Sequence, residues 1–210
     1  MKITDREILI WLNSIGLSNS QIRHIQIQYR RLTDFWELDK EKVYKIEGLK
    51  DDLKAKIVKN RNQEYIERLF ERLKELNVNA VTVFDEDYPT RLRTIHDKPN
   101  VLYVKGKILE EDNLALAIVG SRKATAYGKW ACEKFANELV ELGVTIISGL
   151  ASGIDAIAHR TAIKKGGRTI GVLGNGIDIV YPNQNRSLYE EITEKGAIIS
   201  EFPLGTPPLP

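Results

Sequence analysis

The chain holds one cysteine, Cys132, in 210 residues. It can form no internal disulfide, and a cysteine-built metal site is excluded with it. Histidine is nearly as scarce: three residues, scattered, with no metal-ligand spacing. No apolar run is long enough to span a bilayer, and the N-terminus lacks a signal-peptide layout, which points to a cytoplasmic protein without a membrane partner. A strong charge of one sign is missing too. The net charge is +2; residues 1–80 hold 16 Lys+Arg against 13 Asp+Glu, and the rest 15 against 16. Any site for a polyanion must therefore be a local cluster of cations rather than a global field.

What is present falls into two parts. Residues 1–77 read as all-helical. Asp5 is placed to cap a helix carrying Ile8, Leu9, Trp11 and Leu12. Gln21–Tyr29 shows helical spacing, and Thr33, Asp34 and Asp39 are further start signals. Asp51–Leu76 reads as one long helix with Leu53, Ile57, Ile66, Leu69, Phe70, Leu73 and Leu76 as its buried stripe. Within this part, Val43–Leu49 followed by Leu53–Ile57 has the pattern helix, glycine turn, helix. A helix-hairpin-helix turn can present N–H groups to a phosphate. Glu47, Asp51 and Asp52 flank this turn and would repel one, so packing or partner contact is the better reading.

From residue 78 the pattern changes. Val81–Phe84 and Val101–Val104 are expected strands. Strands are then expected at 114–119, 144–147, 169–173 and 197–200, with helices at 124–142, 154–164 and 184–195 between them. This alternation builds an α/β domain, a doubly wound parallel sheet. The run Leu114–Val119 is apolar throughout, as suits a strand buried on both faces. After four core strands comes the proline-rich Thr206–Pro210, which cannot complete a sheet. The expectation is a chain cut short inside its second domain, 78–210.

Three loops follow the strands: Gly120-Ser121-Arg122 with Lys123; Ser148-Gly149-Leu150-Ala151-Ser152-Gly153; and Gly174-Asn175-Gly176. Parallel strands share a direction, so all three should lie on one edge, where open α/β sheets place their ligands. Small residues are also what tight turns need. Three such loops with an arginine among them favour a phosphate-bearing ligand held by N–H groups, helix starts and Arg122. Arg186, in a helix first turn where a cation opposes the dipole, is a further candidate.

The familiar nucleotide signatures are absent. The first loop lacks the second and third glycines of Gly-x-Gly-x-x-Gly, and no P-loop occurs. No nucleophile elbow supports Ser121 as a nucleophile with Asp155 and His159 behind it. Asp155 reads instead as a helix-start charge and His159 as a packing or hydrogen-bonding residue.

The blocks Ala117–Arg122, Ile147–Asp155 with Ala158-His159, Gly167–Gly174 with Ile177-Asp178 and Tyr181-Pro182, and Ser200–Pro203 closely resemble the DNA processing protein A family (DprA, also called Smf). Tyr88-Pro89, Leu92, Pro99 and Leu102 fit the same resemblance, which covers about residues 80–210. The helical part resembles that family's sterile-alpha-motif-like or helix-hairpin-helix domain. The resemblance implies a Rossmann-like fold and no enzymatic activity or cofactor. It implies single-stranded DNA as the partner: protected on entry during natural transformation, then loaded with the RecA recombinase. A homodimer is implied for full-length members. The DNA-binding residues implied are Gly120, Ser121, Arg122, Gly149, Ala151, Ser152, Gly153 and Arg186; the reading of the loops adds Lys123, Gly174, Asn175 and Gly176. Two other functions compete: a nucleotide-binding or nucleotide-hydrolysing enzyme on a related α/β fold, and a protein adaptor that contacts partners through its helices. The Pro-Gly-Gly-x-Gly-Thr loop of phosphoribohydrolases is not found.

Overall fold

The computed structural model describes residues 3–208; Leu209 and Pro210 of the proline-rich end lie outside them. The chain forms two compact units, Met1–Leu102 and Tyr103–Pro210. The sequence boundary at 77/78 marks the end of the helical run, whose last helix stops at Glu75.

In the first unit, α1 (Asp5–Ser14), α2 (Asn19–Gln28), α3 (Leu32–Trp36), α4 (Lys40–Tyr44), α5 (Asp51–Asn60) and α6 (Gln63–Glu75) precede β1 (Asn79–Thr82), α7 (Thr90–Arg93) and the start of β2 (Val101–Gly106). Ile8, Trp11, Ile22, Ile25, Phe35, Val43 and Ile57 are fully buried and form the core of the bundle. Thr4, not Asp5, caps α1, in a reciprocal capping box with Glu7. Asp5 is used elsewhere, accepting the Thr33 N–H at 2.7 Å at the start of α3.

The long helix expected over 51–76 is two. α5 stops at Asn60, and Asn62 opens α6 by accepting the Tyr65 N–H at 2.8 Å. An asparagine side chain competing for backbone N–H groups ends one helix and starts the next, although the apolar stripe runs on across the break. His24 packs against the hairpin turn between α4 and α5. Gly48 has φ +77°, and His24 Nε2 lies 2.7 Å from the Glu47 carbonyl oxygen. Lys54 turns inward and donates to Tyr44 O at 3.0 Å.

The second unit contains the rest of β2, then β3 (Ala115–Ala117), α8 (Ala126–Glu141), β4 (Thr145–Ser148), α9 (Ile154–Lys164), β5 (Thr169–Leu173), α10 (Arg186–Lys195) and β6 (Ala197–Ser200). Within this unit the strand order is β2-β6-β5-β4-β3. β3, β4, β5 and β6 are mutually parallel, and β2 runs antiparallel to β6. This is the expected Rossmann-like α/β core. β3 departs from expectation. It is shorter than 114–119 and ends the strand order, so Leu116 is 46% and Val119 71% exposed rather than buried on both faces.

At the amino ends of β4 and β5 a buried ion pair fixes the sheet. Arg168 Nη2 meets Asp112 Oδ2 at 2.8 Å, and Thr145 donates to Asp112 Oδ1 at 2.8 Å. Burial raises the Asp112 pKa, but the Arg168 guanidinium and the Leu109 N–H outweigh it and hold the carboxyl below its ordinary value. This clamp lies at the opposite end of the strands from the three loops.

Candidate nucleic-acid interface

The parallel registers of β3, β4 and β5 set their carboxyl ends side by side, so the three loops share one edge. The first two loops are stitched together. Ile154 N–H donates to Ser121 O at 3.2 Å, and Gly120 N–H donates to Asp155 Oδ1 at 3.4 Å. Gly153 has φ +81°, and a Cβ there would run into the carbonyls of Ser121 and Arg122. Glycine is required here by the close approach of two loops. Asp155 is buried and ties α9 to the first loop.

The third loop closes on the chain's last described turn. Ser200 donates to Asn175 O at 2.7 Å, Gly176 N–H to Thr206 O at 2.9 Å, and Gly205 N–H to Asp178 Oδ1 at 2.9 Å. The Asn175 side chain donates to Gly176 O and Ile179 O. Lys123 N–H is taken by Ser121 Oγ, which in turn donates to Lys123 O, each at 3.1 Å. The N–H groups of Gly120, Lys123, Ile154 and Gly176 are thus spent within the protein.

Those cations gather around Arg122. It is exposed and forms no ion pair among the described residues. On one side is a cleft of about 480 Å³ lined by Arg122, Lys123, Lys129, Ser152, Gly153 and Arg160, among others. On the other is one of about 340 Å³, where Arg122, Gly149, Ala151, Ser152, Gly174 and Asn175 face Tyr181 and Phe202. Arg122 lines both. One cleft offers four positive charges and the other two aromatic side chains.

Of the residues expected at the site, all but Gly120, Ser121, Gly176 and Arg186 line one of these clefts. Gly120 and Gly176 use their N–H groups on Asp155 Oδ1 and Thr206 O. Arg186 lines neither; its Nε and Nη2 both donate to Asn183 Oδ1, at 3.1 and 3.0 Å. Sequence reasoning missed Lys129, Arg160, Tyr181 and Phe202. Helical spacing carried the signal for Arg160, which lies one turn beyond Ala156 on the same face of α9. It also missed Leu150, a fully buried leucine with φ +56°. Asn185 Nδ2 holds that strained turn by donating to Leu150 O at 2.9 Å.

His159 is fully buried. Thr169 Oγ1 donates to Ile146 O, so it accepts from His159 Nδ1–H at 2.6 Å. Burial lowers the His159 pKa to about 4, so the ring is neutral at physiological pH and packs inside the unit.

The family model for DNA recombination-mediator protein A matches residues 79–210. Protein Smf of Synechocystis is 35% identical over 204 residues, 95% of this chain and 51% of that protein. The crystal structure of DNA processing protein A from Streptococcus pneumoniae superimposes with a TM-score of 0.78 at 32% identity, over 100% of this chain and 71% of that one. A structure of DNA processing protein A from Helicobacter pylori, described for its single-stranded DNA binding mode, gives 0.55 at 31% identity, over 63% and 59%. The chain spans about half the length of the curated relatives it matches first.

Proposed function

Because the chain belongs to the DNA recombination-mediator protein A family, we propose that its loop edge binds single-stranded DNA, with Arg122 on the sugar–phosphate chain. The observation that carries this is the position of Arg122: exposed, without an ion pair among the described residues, and shared by a cationic and an aromatic cleft. A strand laid across Arg122 sets phosphates against Lys123, Lys129 and Arg160. It sets an unpaired base against Tyr181 and Phe202. Stacking on an aromatic face needs a base freed from its pair, so such a site prefers single strands over duplex. The Helicobacter pylori relative, described for binding single-stranded DNA, supports the same ligand.

The chain acts by holding DNA rather than by turning it over. Ser121 Oγ is engaged with its own loop and His159 is buried with its Nδ1 on Thr169, so the two are not paired as nucleophile and base. The family resemblance extends the proposal to the whole protein: protecting incoming DNA in the cytoplasm, loading RecA on it, and forming a homodimer when full-length. The test is a filter-binding titration of oligothymidylate against duplex DNA of equal length over a range of salt. Preferential binding of the single strand, weakening with salt and resisting excess thymidine monophosphate, supports the proposal. Equal affinity for duplex, or full competition by the mononucleotide, contradicts it.

A further inference from the structure

The break between α5 and α6 builds something the DNA site does not use. Arg61 sits at the C-cap of α5, and Asn62 caps α6. Beside them is a cavity of about 510 Å³, lined by Glu7, Trp36, Arg61, Ile66, Glu67 and Phe70 among others. That volume is in the range of small-ligand pockets. Its floor is apolar: Ile66 is buried, and Trp36 packs edge-on to Trp11 with ring centroids 4.9 Å apart.

Arg61 is the anomaly. Its Nη1 is buried and has no hydrogen-bond partner. Burial draws the Arg61 pKa down, and the charge of Asp39, which opposes this, reaches it without a hydrogen bond. A buried guanidinium nitrogen without an acceptor is costly, and a carboxylate is the acceptor that best satisfies it. The two acids in the lining are already engaged with neutral donors. Glu7 Oε2 accepts from the N–H and the hydroxyl of Thr4, both at 2.8 Å, and Glu67 Oε1 from Gln63 Nε2 at 2.8 Å.

We propose that this cavity binds an apolar monocarboxylate, its carboxylate on Arg61 and its apolar group against Trp36, Ile66 and Phe70. A free small acid and the last residue of a peptide with a large apolar side chain share this chemistry. The test titrates the ¹⁵N-labelled full chain with 3-phenylpropionate, with the peptide Gly-Gly-Gly-Phe, and with the amide of each. Shifts are read at the Trp36 indole N–H and the Ile66 amide. The expected result is saturable shifts with at least one acid, its amide binding about tenfold or more weakly. The tighter acid identifies the source. Arg61→Gln removes the preference for acid over amide, and Phe70→Ala weakens both alike. Failure of both acids to move these resonances overturns the proposal, as does equal binding of acid and amide. Should Arg61→Gln not fold, the acid–amide comparison on the unaltered chain decides alone.

Discussion

Arg160 and Arg186 show how the fold assigns different work to one residue type. Arg186 looks like the better anion ligand in the sequence, since it opens a helix behind a loop. Its guanidinium is bound to Asn183 Oδ1, whereas Arg160, in the middle of α9, lines the cationic cleft. Arg160→Ala is expected to weaken oligothymidylate binding and to reduce the log–log salt slope by about 0.7, the value for one single-strand phosphate contact. Arg186→Ala should leave both unchanged; filter binding at several salt concentrations separates the two. His159 gives a pH prediction with a definite sign. The folded pKa is about 4 against an ordinary 6.5, so the unfolded chain takes up a proton that the folded chain refuses. Stability should therefore fall as pH drops from 6.5 towards 4, by at most about 1.4 kcal/mol per pH unit. Urea melts at pH 7, 5.5 and 4.5 measure the slope, and His159→Gln should remove this contribution to it.

Helices and strands were legible where the local signals agreed. β5, β6 and α9 fall within the bounds their sequences suggest, because apolar β-branched runs, turn residues and helical spacing all change at the same points. The two misread elements each had one signal overriding another. The apolar stripe over 51–76 concealed an asparagine cap, and the apolar run 114–119 read as a buried strand although it ends the strand order. The loops between elements were legible as a group, but not the fate of their N–H groups, which depends on neighbours distant in sequence. Gly153 is the clearest such case. Gly153→Ala should separate the first two loops and weaken DNA binding, and lower stability by about 1–3 kcal/mol through its Gly-only backbone. Calorimetry together with filter binding checks both effects. At the far end of the sheet, Asp112→Asn removes the more buried of the two carboxylates paired with Arg168, leaving Glu111 at 3.2 Å, and should lower stability by about 1–3 kcal/mol. The native carboxyl titrates below its ordinary value, so its stabilisation is present above about pH 4 and is lost as pH falls through the folded value.

For the whole chain, the division of labour follows from where charge and apolar surface are left available. The first unit packs His24 against its hairpin turn and keeps a cavity where Arg61 Nη1 has no hydrogen-bond partner. The second unit keeps its cations on one edge of a parallel sheet and its structural ion pair at the other. The near-neutral net charge fits the DNA site proposed there, since four clustered cations need no global field. Everything proposed for that site turns on Arg122 as the residue common to both clefts. The most direct test measures the salt dependence of oligothymidylate binding for the unaltered chain and for Arg122→Ala. The expected outcome is weaker binding by the variant at every salt concentration, with a slope shallower by about 0.7. Identical affinity and slope for the two proteins would contradict the account.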